Sequence, residues 1–405
     1  MRILLIPSSY PPVLGGLQVV VHTLARHLLR QHHQVRVITN RYPRSLPARE
    51  VIEDVTVERR LFLRPRKRDL TNWRPDLFLS SLYFYPATLM YLLRAMRELR
   101  PDVVNVHFPD AQMPFVLALR HLFKFRLVVS LHGHDIERWS AFGEAENKKM
   151  RANTGARLLR TFLNEADAVT ACSSNLLSKA QRLEPGIARK GHVVHNGLDL
   201  ELFNSTARYS YPRPYILSYG RLTSKKGFDL LISAFAQVAA VQPEVDLILA
   251  GDGEDEILLK RLVHEAKLDD RVHFFGRAQP GQIVELLNGC LFLVVPSRNE
   301  PFGIVALEGM AAGKPVLATR VGGLPEFLEE SINQLVEPSV DGLTSGLKDW
   351  LARREELSAL GMGNRRLAAK FTWARTVEQY LRVYDGPEAE VLEPRLRPDS
   401  VSLTN

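Results

Sequence analysis

The sequence predicts an α/β protein made of two doubly wound domains, each a parallel sheet with helices on both faces. Three observations carry that expectation. Short apolar runs alternate with helix-length amphipathic stretches along nearly the whole chain. The runs are near-continuous in Val, Ile, Leu and Phe, as strands buried on both faces require. The 405 residues, 45% of them apolar, exceed one ordinary domain and suit two.

Taken in order, the first-half strand candidates are RILLIP (2–7), QVRVITN (34–40), VVNVHF (103–108), RLVVSLHG (126–133), AVTACS (168–173) and HVVHNG (192–197). The second half offers YILSYGR (215–221), DLILAGDG (246–253), VHFFGR (272–277), CLFLVVPS (290–297), PVLATR (315–320) and NQLVEP (333–338). Helical stretches such as 19–31 and 228–242 stand between them with apolar residues at helical spacing. A domain boundary is expected near 204–214, NSTARYSYPRP, where two prolines interrupt any periodicity. The halves are then residues 1–204 and 205–371. Residues 387–405 have no helix period and read as a mobile tail.

Residues 77–93 contain no charge, a length at the lower limit of a membrane span. Pro86 and the hydroxyls of Ser80, Ser81 and Thr88 argue instead for a buried helix beginning near Pro86 and running through 89–102. Cys172 and Cys290 sit in apolar segments and read as packed thiols of a reducing compartment. The apolar run at the N-terminus is too short for a signal-peptide core, so the expected location is the cytoplasm.

The net charge of +8 is unevenly spread: residues 1–200 hold 30 Lys or Arg against 17 Asp or Glu, and the remainder 23 against 28. The basic half is densest at 59–74, RRLFLRPRKRDLTNWR, where cations interleave with apolar side chains. Such a segment suits an anionic membrane surface. Nucleic acid is not expected as a partner, because no nucleic-acid module accompanies the charge.

The densest chemistry lies in 296–326. Gly303 stands where a helix starts, so the N–H groups of Phe302, Gly303 and Ile304 can point at an anion or at hydroxyls. Glu308 falls one to two turns into that helix, where a carboxylate can accept two hydrogen bonds from a ribose diol. Glu300 precedes the helix, close to whatever those N–H groups hold. Phosphate, ribose and a third polar group together describe a nucleotide-sugar site.

Other motifs add to it in chain order. Gly15 and Gly16 lie between the first strand and a helix, allowing close approach of backbone to ligand. His132 of LHGHD closes a strand at the carboxyl end, where open α/β sheets bind ligands; His134 is the alternative. Arg221 and Lys226 of GRLTSKKG can reach one anion, with Lys225 as the positional alternative. Two such cations neutralise charge developing on a leaving diphosphate. No metal-ligand cluster is evident, and no cofactor is expected beyond a nucleotide diphosphate sugar as co-substrate.

The segment 296–326 with its two glutamates, and GRLTSKKG before it, resemble the donor-site signature of retaining glycosyltransferases of the GT-B type, family 4. The resemblance extends to about residue 386 and is strongest over 215–330. It implies two Rossmann-like domains facing across a cleft, the first for the acceptor and the second for the donor, with a terminal helix over about 372–386 returning to the first domain. It favours Lys226, directly before the glycine, over Lys225. It places His132 near the donor sugar and the Gly15–Gly16 loop over the diphosphate. HNGLD (195–199) and GDGE (251–254) look family-like but structural, and FGR (275–277) falls where relatives offer backbone groups to the base. The implied reaction is metal-independent transfer with retention, from a uridine or guanosine diphosphate sugar, the former favoured, to a glycan or lipid-linked acceptor. The alternatives are an epimerase of the same fold, a soluble transferase acting on a small metabolite, and a nucleotide-sugar-binding scaffold without turnover.

Overall fold

A computed structural model describes residues 1–13, 15–63, 75–140 and 154–386. Arg64, Arg66, Lys67, Arg68 and Trp73 of the basic run, and the tail 387–405, lie outside the described residues.

The first sheet contains β1 (Arg2–Pro7), β2 (Gln34–Asn40), β3 (Arg49–Ile52), β4 (Val55–Arg60), β5 (Val103–His107), β6 (Arg126–Leu131), β7 (Ala168–Ala171) and β8 (Gly191–Val193). Its order is β3-β4-β2-β1-β5-β6-β7-β8. All its pairings are parallel except β3 with β4. The second sheet contains β9 (Tyr215–Tyr219), β10 (Asp246–Ala250), β11 (Val272–Gly276), β12 (Leu293–Val295), β13 (Val316–Thr319) and β14 (Gln334–Val336), in the all-parallel order β11-β10-β9-β12-β13-β14.

Helices cover both faces: α1 (Gly16–Arg30), α2 (Pro75–Leu99), α3 (Met113–Arg120), α4 (His134–Ser140), α5 (Thr154–Glu165) and α6 (Ser174–Leu183) in the first half. The second half holds α7 (Phe228–Ala239), α8 (Glu256–Glu265), α9 (Pro280–Gly289), α10 (Ile304–Ala311), α11 (Val340–Ala352), α12 (Leu357–Ala368) and α13 (Trp373–Asp385). Alternate residues of β1 serve the two faces. Leu4 and Ile6 join one buried cluster, Ile3 and Leu5 another, which is why that strand reads as unbroken apolar sequence.

In each sheet the chain builds outward on one side of its first strand and then crosses to the other. The crossing points are β1/β5 and β9/β12. Crevices at the carboxyl ends of strands at such points are where this architecture takes ligands. Arg221 follows β9, Glu300 follows β12, Gly15 follows β1 and His107 ends β5, so all four lie at those ends.

The chain returns to the first sheet through α13. Trp373, Val377, Tyr380, Val383 and Tyr384 are buried there against Ile3, Leu5 and Val20. Each such side chain contributes roughly 1.5–3 kcal/mol by leaving water. Polar bonds set the register: Asn105 Nδ2 donates to the Tyr384 hydroxyl at 2.7 Å, and Arg126 Nε to the Val383 carbonyl at 2.8 Å.

The structure adds a hairpin, moves one helix start and divides the described part of the basic run. The β3–β4 hairpin was not legible, because REVI at the sheet edge and VTVERR beside it mix charges into short strands. The helix expected to begin near Pro86 begins at Pro75 and contains Pro86. Proline removes one backbone bond and crowds the carbonyl four residues back. Contacts on the inner side hold the helix together regardless: Leu92 is fully buried, the Thr88 hydroxyl donates to the Leu61 carbonyl at 2.9 Å, and the Tyr85 ring lies 4.6 Å from that of Phe115. The described start of the basic run, residues 59–63, is largely engaged within the domain. Arg59 is buried, paired with Glu50 and bonded to the Pro11 carbonyl at 2.6 Å, while Arg60 lies 3.5 Å over the Tyr91 ring and Phe62 is core.

Candidate functional site

The site is assembled from strand ends. After β9 the chain passes Gly220 and Arg221, then turns through Lys226 into α7. After β12 it passes Ser297 and Glu300, then enters α10 at Gly303. Gly303 caps that helix at φ 106°, ψ 55°, a conformation other residues adopt only with strain, and no side chain caps the first turn. Its N–H groups therefore remain available to a ligand.

A cavity of about 400 Å3 opens between the domains. Gly15 and Val19 of the first domain line one wall; Tyr219, Arg221 and Glu308 line the other, with Asp252 and Arg277 at its edge. The Arg221 guanidinium lies 3.6 Å from where a side-chain carbon on Gly15 would be built. The Gly15 loop and the arginine are thus close enough to share one anion.

Glu308 is half-buried and accepts a hydrogen bond from the Tyr219 hydroxyl at 2.5 Å. Burial pushes its carboxyl up to about 7, and the tyrosine only partly offsets this. Near neutrality this acid stands between its two protonation states.

Beyond that cavity, Glu300 is buried. It accepts from Lys226 Nζ at 2.5 Å and from the Ser297 hydroxyl at 3.2 Å. The lysine and glutamate, expected as neighbours of one ligand, are thus neighbours of each other. The Phe302 ring faces away from ligand space into an aromatic cluster, with centroids 5.6 Å from His195 and 5.1 Å from Phe327. Its side chain is packing. Ile304 is half-buried and approaches Gly16 across the interface.

The two histidines of LHGHD separate. His134 is exposed, 2.9 Å from Lys225 Nζ. His132 turns inward, its Nε2 at 3.1 Å from His107 Nδ1, and burial lowers its pKa to about 4. Asp135 holds the turn: its carboxylate accepts from the backbone N–H of His132, Gly133 and Ile136 at 3.0, 2.7 and 3.2 Å. A side-chain carbon on Gly133 would sit 2.2 Å from the Pro301 ring. The histidine loop therefore presses on the Glu300–Gly303 turn with glycine as the only residue that fits.

A second contact joins the domains. Glu326 accepts from the backbone N–H of Ser174 and Asn175 at 2.8 Å each, capping α6 of the first domain, with His195 Nε2 3.6 Å away. Those bonds hold its carboxyl below the usual range against the opposing effect of burial.

Tyr219 and Glu326 were not singled out from sequence, while Asp252 was read only within GDGE as a structural turn and Arg277 only within FGR as a backbone contact to the base. Asp252 carried a signal, since GDG follows a strand end. Tyr219 carried none, being indistinguishable from a strand core residue. Among the described residues no group of three or more His, Cys, Asp or Glu is placed to hold a metal ion.

Comparison with known proteins follows the same division. The family described as Glycosyltransferase Family 4 matches residues 14–202, and that described as Glycosyl transferases group 1 matches residues 208–366. An uncharacterized glycosyltransferase of Methanocaldococcus jannaschii is 30% identical over 404 residues, 95% of this chain and 98% of its own. A glycogen synthase of Mycobacterium tuberculosis is 27% identical over 98% of this chain and 97% of its own. Among solved structures, HepE of Anabaena in complex with UDP-glucose superposes with a TM-score of 0.71 at 21% identity, over 94% of this chain and 98% of that one. That likeness shows the two-domain GT-B fold.

Proposed function

The chain belongs to the group 1, family 4 glycosyltransferases, GT-B enzymes that transfer a sugar from a donor, and we propose that its donor is a nucleotide diphosphate sugar whose anomeric configuration is retained. The observation that carries this reading is the meeting of Arg221, Glu308 and the Gly15 loop around one interdomain cavity. Glu308 takes the ribose diol. Arg221, Lys226 and the open first turn of α10 hold the diphosphate. Glu300 and the N–H groups of Phe302, Gly303 and Ile304 hold sugar hydroxyls, and His132 approaches the sugar from the first domain. A uridine nucleotide is favoured, with guanosine as the second choice; the UDP-glucose complex of the Anabaena neighbour supports testing uridine first.

Without donor, Glu300 neutralises Lys226. A bound diphosphate competes for that ammonium and gains most from it as the sugar–phosphate bond breaks and charge builds on the leaving oxygen. Two cations in this position make a divalent metal unnecessary. The acidic side chain closest in sequence to His132, Asp135, has its carboxylate engaged by three backbone N–H groups. That supports displacement on one face, with the departing phosphate taking the acceptor proton, over a carboxylate nucleophile on the opposite face. Closure of the domains excludes water from the broken bond.

The acceptor belongs to residues 1–204, and a lipid-linked or other envelope glycan fits them best. Leu79, Tyr83 and Met90 are 64%, 71% and 64% exposed on α2, which follows the basic run in the sequence. Among the described residues no helix is long and apolar enough to cross a membrane, and the reading is of a peripheral protein on the cytoplasmic leaflet.

A thermal-shift panel of nucleotide sugars with and without chelator tests the donor, since a ligand bound only by the folded state raises its melting temperature. Failure of every uridine and guanosine diphosphate sugar to shift it would sink the reading. The anomeric coupling of the product by NMR tests retention.

A further inference from the structure

The His132 ring meets the core of the first domain at His107, and that hydrogen bond bears on which of its nitrogens carries a proton. His107 ends β5 fully buried, flanked in the sheet by Pro7 and Ser130. Its Nδ1 lies 3.1 Å from His132 Nε2. Burial holds both imidazoles in their neutral forms at ordinary pH. Each ring then has one N–H and one lone pair.

Two arrangements satisfy the bond. If His132 donates from Nε2, His107 accepts at Nδ1 and carries its own proton on Nε2. That Nε2 is sealed from solvent with no hydrogen-bond partner, so the arrangement strands an N–H in the protein interior. If His107 donates from Nδ1, its sealed Nε2 is a bare lone pair, a lesser cost, since buried orphan donors are rarer than under-satisfied acceptors. His132 then accepts at Nε2 and must carry its proton on Nδ1. The chain beyond His107 is clamped in support. Phe108 adopts φ 58°, a left-handed conformation that a bulky residue before proline resists. The Gln112 side chain, itself buried, donates to the Phe108 carbonyl at 2.9 Å and accepts from the Asp110 N–H at 3.1 Å. The orientation of His107 is thereby set by backbone as well as by burial.

We propose that His107 is a positioning residue that locks His132 in its Nδ1–H tautomer, so that His132 offers the cleft a hydrogen-bond donor and not a base. This rests on the reading of His132 as the residue that meets the donor sugar. It fits a reaction in which the acceptor proton leaves with the phosphate, because an Nδ1–H imidazole with its Nε2 occupied has no lone pair to take it. An N–H held toward a sugar hydroxyl oxygen orients the ring and keeps the nitrogen from acting as a competing nucleophile.

The test uses the full chain with imidazole nitrogens labelled with 15N and UDP bound, the His132 signals being assigned by their loss in His132→Gln. His107→Asn keeps an N–H near the Nδ1 position; His107→Leu removes it. The expected result is Nδ1–H at His132 in the wild type and in His107→Asn, and a change to Nε2–H, the form an unconstrained imidazole prefers, in His107→Leu. Hydrolysis of UDP-glucose should fall about tenfold in His107→Leu, the loss of one hydrogen bond, and be largely retained in His107→Asn. An Nε2–H signal for His132 in the wild type, or an unchanged tautomer in a folded His107→Leu protein, overturns the proposal. A tautomer that changes while hydrolysis does not leaves the control by His107 standing and removes His132 from the sugar site.

Discussion

The Tyr219 hydroxyl, at the end of the first strand of the second sheet, donates to the Glu308 carboxylate at 2.5 Å across the wall of the interdomain cavity. The bond fixes the acid toward the space assigned to the ribose, and burial leaves that acid titrating near neutrality, at about 7. Because the folded-state value lies above the ordinary carboxyl value, ionising Glu308 costs stability as pH rises through that interval, and the cost is complete above it.

A ribose diol donates to the ionised form, so donor binding should expel the proton. UDP-glucose has no group of its own that titrates between about pH 6 and pH 8. Its affinity should therefore rise several-fold over that range in calorimetry. Glu308→Gln should abolish the pH dependence and weaken binding by about 1–3 kcal/mol, the worth of a hydrogen bond to a charged group. A pH-independent affinity in the wild type would show that Glu308 does not meet the ligand.

Lys226→Ala removes the cation from a buried glutamate and from the proposed diphosphate site together. Turnover should fall by about 100- to 1,000-fold, the range for losing one group that stabilises developing charge, while UDP binding weakens less. Lys226→Arg should recover part of the loss. Chelator should leave most wild-type activity in place. Collapse with chelator and recovery with magnesium or manganese would refute the metal-free mechanism.

Much of the fold was legible in the sequence. Every strand read from a run of Val, Ile, Leu or Phe is a strand, because burial on both faces leaves a signal that needs no context. Gly303 was legible because a helix start at φ 106° demands glycine. The pairings were not. Lys226 with Glu300, Tyr219 with Glu308 and His107 with His132 join residues 74, 89 and 25 apart in the chain, and no local pattern records a partner at such distance. The helix through Pro86 was misread for a related reason, since local propensity stops there and only tertiary contacts carry it on.

Glu326→Ala should loosen the domains. It strips two charge-assisted bonds from the first turn of α6, each worth about 1.5–3 kcal/mol. Scattering should show a larger radius of gyration in the presence of UDP, and water should compete better, raising the ratio of donor hydrolysis to transfer. The depressed carboxyl adds stability above its ordinary value that is lost on acidification through the lowered one. The Glu326→Ala protein should lack that acid-labile contribution. An unchanged radius and hydrolysis ratio would reduce the contact to simple helix capping.

Membrane association should depend on charge and on α2 in separable ways. Each Lys or Arg near an anionic leaflet adds about 1 kcal/mol of attraction, screened by salt. Replacing Arg64, Arg66, Lys67 and Arg68 by Ser should therefore abolish sedimentation with anionic vesicles at low salt. Leu79, Leu82, Tyr83 and Met90, spaced to share one side of the helix, are the exposed apolar groups available to enter headgroups. Leu82→Ser with Tyr83→Ser should leave the salt dependence intact and weaken binding at every salt concentration, because apolar insertion is not screened. Arg59 and Arg60 are engaged within the domain, so Arg60→Ser should leave pelleting almost unchanged. Equal pelleting with neutral vesicles, or none with anionic ones, would return the acceptor to a soluble saccharide or small metabolite.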